Sequence, residues 1–332
     1  MRLSLGGKYP ISHRPTARYG STTMTATSFC RLASTLVLAA LSADGTSAFG
    51  ATPQTGTGHN AVFQPLHSPA TGQQHPGKFI WADLFTTDPV AAAKFYTGLF
   101  GWTANTVEQH GRSYTVFSNG SRPVAGLAQR HTANANRPSR WIGYVAVADL
   151  KSTLALVAAA GGKARAPARD FPDRGIQAII ADPEGASIGL LQSASGDSTD
   201  DEPLPGDWNW FELYGKDPKV AATFYARALG YSVKPDDRTE RKNDYLLSAG
   251  DQLRGGIAPL PDREEAKPGW LGVVRVVSID EAIARVNKLG GEVLVAPRAA
   301  AYESRFAIIA DSTGGTLGLV EYVDNANPAS RP

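Results

Sequence analysis

A single cysteine in 332 residues, Cys30, excludes a disulfide framework and a thiolate metal site from everything after it. An excess of one charge is missing too. Thirty-three Lys and Arg stand against 31 Asp and Glu, and no block of five or six like charges occurs. Nothing in that balance asks for nucleic acid as a partner. The apolar run 32-LASTLVLAAL-41 is shorter than the ~20 residues that cross a bilayer, so no membrane span is expected. Histidine is scarce: beyond residue 77 there are His110 and His131 alone, both in expected loops. What is present, 42% apolar and 19% charged residues, is the composition of a soluble globular protein long enough for two domains.

Residues 1–48 have the form of an export signal. Arg14, Arg18 and Arg31 precede the apolar run, and 46-TSA-48 offers small residues for cleavage after Ala48. Met24 as the start gives a signal of more usual length, and Cys30 precedes the apolar run, unlike a lipoprotein cysteine. The competing reading is a miscalled upstream start on a cytoplasmic protein. Residues 49–77 are rich in Thr, Gly, Pro, Gln and His without a period and are expected to be a flexible spacer. Its His59, His67 and His75 stand in a solvated setting that does not suit a metal site.

The chain then repeats itself. The stretch 80-IWADLFTTDPVAAAKFYTGLFGW-102 returns as 209-NWFELYGKDPKVAATFYARALGY-231, and 141-WIGYVAVADL-150 as 270-WLGVVRVVSI-279, at one offset of 129. The pentapeptide AIIAD recurs unchanged at 178–182 and 307–311, and Gly161–Gly162 recur as Gly290–Gly291. Two homologous domains, 78–193 and 206–323, are therefore expected, joined by a polar linker over 194–205 and followed by a polar tail over 324–332. Each copy reads as strand, helix and three strands, twice over. Asp88 and Asp217 suit helix caps, Pro89 and Pro218 the first turn, and Gly101 and Gly230 the stop. The spacing 278-SIDE-281 is that of a capping box. The paired glycines follow a helix, which reads as termination rather than a phosphate loop.

An opening strand with aromatic and acidic residues, then "TDP", a helix with "FY" and a closing "FGW", resembles the vicinal oxygen chelate superfamily of glyoxalases, bleomycin-resistance proteins and extradiol dioxygenases. So does the late turn 182-DPEG-185 with the strand 186-ASIGLLQ-192. The resemblance covers 78–192 and again 207–321. It implies an α+β fold of two tandem glyoxalase-like domains, each made of two βαβββ units that form a half-open mixed β-barrel around a cavity, with helices outside. It also implies metal ligands near the start of the first strand of each unit and on its last strand. Those positions fall here on Trp81, Ile142, the neighbourhood of Gly126, and Gly189, and in the second copy on Trp210, Leu271, the neighbourhood of Gly256, and Gly318. Indole only donates a hydrogen bond and glycine has no side chain, so no metal and no cofactor are expected at these positions.

Period-two alternation places Trp81, Asp83 and Phe85 on one face of the first strand and Trp210, Glu212 and Tyr214 on the matching face. If those faces line the cavities, each cavity holds an indole and a carboxylate. Asp83 and Glu212 are the candidates for a catalytic base or a ligand acceptor, against the plainer role of tying down a nearby Arg, Tyr or amide. Trp81 and Trp210 are candidate pocket walls, against core filling. Arg169 and Arg298 match at the same offset and are candidates to clamp an anion. Arg275 is expected to pair with Glu212.

The function expected from this reading is binding of a small organic molecule by an exported, metal-free protein of the bleomycin-resistance type. Two alternatives stay open: a glyoxalase-like lyase or dioxygenase with an unorthodox metal site at Asp83, Glu212 or Glu321, and a secreted interaction protein with vestigial cavities. Whether the chain is an enzyme stays open with them. It is expected as a monomer with the two domains packed together, or as a homodimer.

Overall fold

The computed structural model describes residues 63–109, 112–130, 132, 138–237, 243–261, 266–300 and 304–322. The expected export signal, the tail over 324–332, His59, His110 and His131 lie outside them.

The first domain runs β1 (Phe79–Thr86), α1 (Pro89–Phe100), β2 (Thr103–Gln109), β3 (Arg112–Asn119), β4 (Arg122–Gln129), β5 (Arg140–Ala146), α2 (Leu150–Ala159), β6 (Lys163–Phe171), β7 (Gly175–Ala181) and β8 (Ser187–Ser193). The second repeats it with β9 (Trp208–Gly215), α3 (Pro218–Leu229), β10 (Ser232–Pro235), β11 (Tyr245–Ala249), β12 (Gln252–Pro259), β13 (Gly269–Arg275), α4 (Ile279–Lys288), β14 (Glu292–Ala300), β15 (Ser304–Ala310) and β16 (Thr316–Tyr322). Each domain is one open, mixed eight-stranded sheet of order β2-β3-β4-β1-β5-β8-β7-β6 or its equivalent. The central pair β1 and β5 is antiparallel, while β4 and β8 run parallel to them. This is the half-open barrel of paired βαβββ units.

The helices form where their caps predict. The Asp88 carboxylate accepts from Ala91 N at 2.9 Å, that of Asp217 from Lys219 N and Val220 N, and Gly101 and Gly230 close their helices in the left-handed region. At α4 the capping-box expectation is half met. Ser278 Oγ accepts from Glu281 N at 3.3 Å, but the Glu281 carboxylate pairs with Arg285 rather than returning to the Ser278 amide, and a different acid, Glu321, accepts from the Ile279 amide at 2.9 Å.

The two domains share one apolar core, built where α1 meets α4 and α2 meets α3. Phe79 of β1 stacks on Phe211 of β9 with ring centroids 4.0 Å apart. The seam also carries a polar crossing, made twice with the repeat's own symmetry. Trp141 donates to the Tyr96 hydroxyl at 2.8 Å, and Tyr96 donates to Asp311 of the other domain at 2.7 Å. Trp270 donates to Tyr225 at 2.8 Å, and Tyr225 to Asp182 at 3.2 Å. The repeated glycines have two jobs. Gly161 and Gly290 take positive φ after their helices, whereas Gly162 and Gly291 leave room for Phe224 and Phe95 of the opposite domain.

Two segments read as loose in the sequence are seated on this frame. From Phe63 onward the spacer lies along residues 193–200: Thr71 N donates to Ser195 O at 2.9 Å and His75 N to Asp197 at 2.6 Å. The linker is held in turn, with Asp200 within 3.0 Å of Lys78 and paired with Arg254 across the domains. Short polar side chains that accept backbone N–H groups order both stretches without needing an apolar period.

Burial pushes the Asp182 carboxyl up to about 6, against the pull of the Ala186 amide and the Tyr225 hydroxyl. A folded-state value above the ordinary 3.8 means that the folded chain holds this proton more tightly than the unfolded chain. The contribution to stability is therefore complete below about pH 4 and is lost as pH rises through 6, a change on the order of 2 to 3 kcal/mol. Urea unfolding of wild type and Asp182→Asn at pH 4.5 and pH 7.5 is expected to show a pH dependence smaller by that amount in the variant. An unchanged dependence would place the ionisation elsewhere.

Candidate functional site

The inner face of each half-barrel forms a cup, and a bulge decides which residues line it. Between Phe79 and Trp81 the β1–β5 register slips, and β9 slips likewise between Trp208 and Trp210. One extra residue flips the strand, so Phe79 and Trp208 face the shared core. Trp81 and Phe85 join a separate cluster with Tyr114, Val116, Ile142, Tyr144 and Leu191. The face predicted by alternation is thus the cup face from Trp81 and Trp210 onward.

In the first cup Trp81 and Asp83 are brought together and closed over. Asp83 Oδ1 accepts from Trp81 Nε1 at 2.8 Å and from the Tyr114 hydroxyl at 2.6 Å, and the Tyr144 ring packs in the same cluster. Burial, with the Asp83 charge second, holds the Tyr114 and Tyr144 hydroxyls well above the ordinary phenol range, so both stay protonated. Trp81 is 3% exposed and Asp83 2%. The plainer role, a carboxylate tying down neighbouring donors, is the one its bonds describe, and burial closes it off from solvent.

Sequence reasoning missed the cation of this cup. Arg174, in the turn between β6 and β7, is 1% exposed and lies over the Trp81 ring at 4.3 Å. Its Nε donates to the Gln64 carbonyl at 2.9 Å, and its Nη1 is buried with no hydrogen-bond partner. The signal was weak: a turn arginine in 171-FPDRGI-176 looks like a solvated loop residue. Phe63 and Leu66 from the arm ahead of β1 complete the filling.

The second cup has the same strand residues in another state. Trp210 Nε1 donates to Glu212 Oε2 at 2.6 Å, and Trp210, Glu212 and Tyr214 are all half-buried. Beside them lies an apolar floor of Leu271, Val295, Ile308 and Phe306. The position of Tyr144 is Val273 here, at the repeat offset. The expected Arg275–Glu212 pair is not made. Arg275 Nη1 reaches Glu202 at 2.7 Å and the Pro203 carbonyl at 2.6 Å and lies over Tyr322, whereas Glu212 sits opposite Leu271, near the other end of β13. Arg169 and Arg298 occupy equivalent places on the edge strands β6 and β14, Arg169 half-buried and Arg298 exposed.

The positions where the resemblance implies metal ligands do converge, but on the wrong chemistry. Trp81 and Ile142 sit in the first cup, and Gly126 lies opposite Asp83 in the sheet. A Cβ at Gly126 would overlap the Tyr114 hydroxyl and the Asp83 carboxylate, and one at Gly189 the Tyr144 ring. Aromatic rings fill the space a ligating carboxylate would need. Among the described residues no three His, Cys, Asp or Glu side chains cluster closely enough to hold a metal ion. Glu321, the remaining acidic candidate, caps α4 and lies 3.5 Å from Arg305. The residues present do not fit the family's metal centre.

Two family models match the chain: the Glyoxalase/Bleomycin resistance protein/Dioxygenase superfamily over 78–190 and a glyoxalase-like domain over 211–320. This chain belongs to that superfamily. It is 31% identical over 260 residues to the protein named "Putative glyoxylase CFP32" of Mycobacterium bovis, covering 76% of this chain and 98% of that one. It is 30% identical to the anthracycline biosynthesis protein DnrV of Streptomyces peucetius, over 74% of this chain and 94% of the relative. Among solved structures it resembles the Mn(II)-bound glyoxalase from Novosphingobium aromaticivorans, with a TM-score of 0.53 and 17% identity over 75% of this chain and 83% of that one. A homoprotocatechuate 2,3-dioxygenase variant from B. fuscum aligns with a TM-score of 0.54 and 13% identity, over 81% and 77% of the two chains. At these identities the solved structures speak for the fold alone.

Proposed function

We propose that this superfamily member is an exported, metal-independent binder of a small planar organic molecule, and that the second cup is its working site. The observation that carries the reading is the contrast between two copies of one strand. Trp81 and Asp83 are sealed under their own neighbours, while Trp210, Glu212 and Tyr214 keep part of their surface exposed beside an apolar floor. An indole and a tyrosine ring offer faces on which an aromatic ligand stacks. Glu212, an acceptor when ionised, fixes a ligand hydroxyl or amine beside the apolar floor. The donor set at the family's metal positions favours binding over Lewis-acid chemistry. Relatives named for anthracycline biosynthesis accord with a polycyclic aromatic ligand.

The test is a thermal-shift screen of planar aromatic alcohols and amines on the full chain, with elemental analysis of the same sample. Ligand at ~100 times its dissociation constant stabilises the fold by about 2.7 kcal/mol. Trp210→Ala and Glu212→Gln are each expected to weaken binding roughly 10- to 100-fold, the worth of a lost stacking face or charged acceptor, and Asp83→Asn to leave affinity unchanged. Equal losses at Asp83 and Glu212, or a stoichiometric transition metal that activity requires, would sink the reading. Export predicts a mature chain beginning at residue 49, read by N-terminal sequencing of secreted protein.

A further inference from the structure

We propose that the first cup is also a binding site, held shut by residues Phe63–Leu66 of the chain's own arm, and that the ligand it accepts is a planar aromatic carboxylate. The arm sits there as a ligand would. The Phe63 ring lies 4.5 Å from Tyr114 and 4.3 Å from Phe171, and Leu66 is buried against the Trp81 and Tyr144 cluster. The polar bond these residues make to the cup is the Gln64 carbonyl accepting from Arg174 Nε.

That bond leaves the guanidinium underused. Arg174 is a fixed cation, buried almost completely, with Nη1 unpartnered. A buried charge without full pairing is costly, and a neutral carbonyl offers one oxygen where a carboxylate offers two. The Asp83 charge does not fill this need, since its bonds go to Trp81 and Tyr114. An aromatic acid would place its ring where Phe63 lies and its two oxygens on Arg174.

Release needs little of the chain to move. The arm is anchored from His67 onward, where His67 N donates to Ser195 Oγ at 3.1 Å and Thr71 Oγ1 donates to the Asp197 carbonyl at 2.8 Å. Residues 63–66 can leave the cup while these bonds persist.

Hydrogen exchange of the full chain with millimolar benzoate is the test. Benzoate is expected to raise exchange at Gln64 and Leu66, as they leave the cup, to leave the anchored His67 amide unchanged, and to lower exchange at 173–176 around Arg174; benzyl alcohol, the same ring without the charge, does none of this. Phe63→Ala should bind benzoate about tenfold more tightly than wild type, because an occupied cup lowers apparent affinity by the fraction of time it is free. Arg174→Gln in that background should abolish binding. Benzoate binding that Phe63→Ala does not tighten, that survives Arg174→Gln, or that leaves the arm's exchange unchanged overturns the proposal, as does absence of binding to both proteins. Glu212→Gln and Trp210→Ala leave these readouts untouched, so failure here is separable from failure of the second cup.

Discussion

Replacing Asp311 by alanine is expected to destabilise the whole chain by about 4 kcal/mol, the largest effect of any single substitution considered. One carboxylate oxygen accepts from Thr313 N at 2.6 Å, Thr313 Oγ1 at 2.7 Å and Gly315 N at 2.9 Å; the other accepts from Tyr96 across the seam. Alanine leaves two backbone amides and a fully buried tyrosine hydroxyl without an acceptor, each costing roughly 1 to 3 kcal/mol. Asp311→Asn keeps an acceptor for the turn and is expected to cost about 1 kcal/mol, and Tyr96→Phe between these two. Guanidinium unfolding followed by tryptophan fluorescence reads all three. Because Phe79 stacks on Phe211 and the core runs through both domains, a single transition is expected in every case. Two resolved transitions, or a loss below 1 kcal/mol in Asp311→Ala, would show that the crossing is not what joins the domains.

The crossing also marks the limit of what the sequence discloses. The duplication, the caps at Asp88 and Asp217 and the βαβββ order rest on local signals, which spacing and residue type carry in full. Tyr96 and Asp182 are different. In the sequence Tyr96 is one more apolar position on α1 and Asp182 the start of a turn. Their partners lie in the other copy, and no periodicity encodes a contact made between repeats. The recurrence of AIIAD unchanged was the available clue, since a turn alone does not need the same five residues twice. The bulges at Ile80 and Asn209 are likewise invisible to alternation, which is why Trp208 and Trp210 share a parity and face opposite ways. In the cups, the indole–carboxylate pairs were legible and their burial was not. What seals the first cup comes from an arm that composition marks as spacer and from an arginine in a turn, neither of them on the strand that carries the site.

Gly126→Ala and Gly256→Ala turn that difference into a measurement. The two glycines are equivalent in the sheets, opposite Asp83 and Glu212. A Cβ at Gly126 meets the Tyr114 hydroxyl and Asp83, both buried and bonded to each other, so the methyl must break that bond and push a ring inside a filled cup. The expected cost is roughly 3 to 4 kcal/mol, overpacking added to a lost buried hydrogen bond. At Gly256 the Cβ meets Glu212 Oε2, the atom that accepts from Trp210, but both side chains are half-buried, so water can take up the bond that the methyl disturbs. The expected cost there is smaller, about 1 kcal/mol, the net worth of a partly solvated hydrogen bond. Equal losses at the two sites would mean that the second cup is as tightly filled as the first, and would remove the basis for placing a ligand in it. If the difference holds, Gly256→Ala should keep the fold while displacing Glu212 and narrowing the cup. Ligand affinity at the second cup should then fall without a matching fall in stability, which separates a working site from a merely softer one.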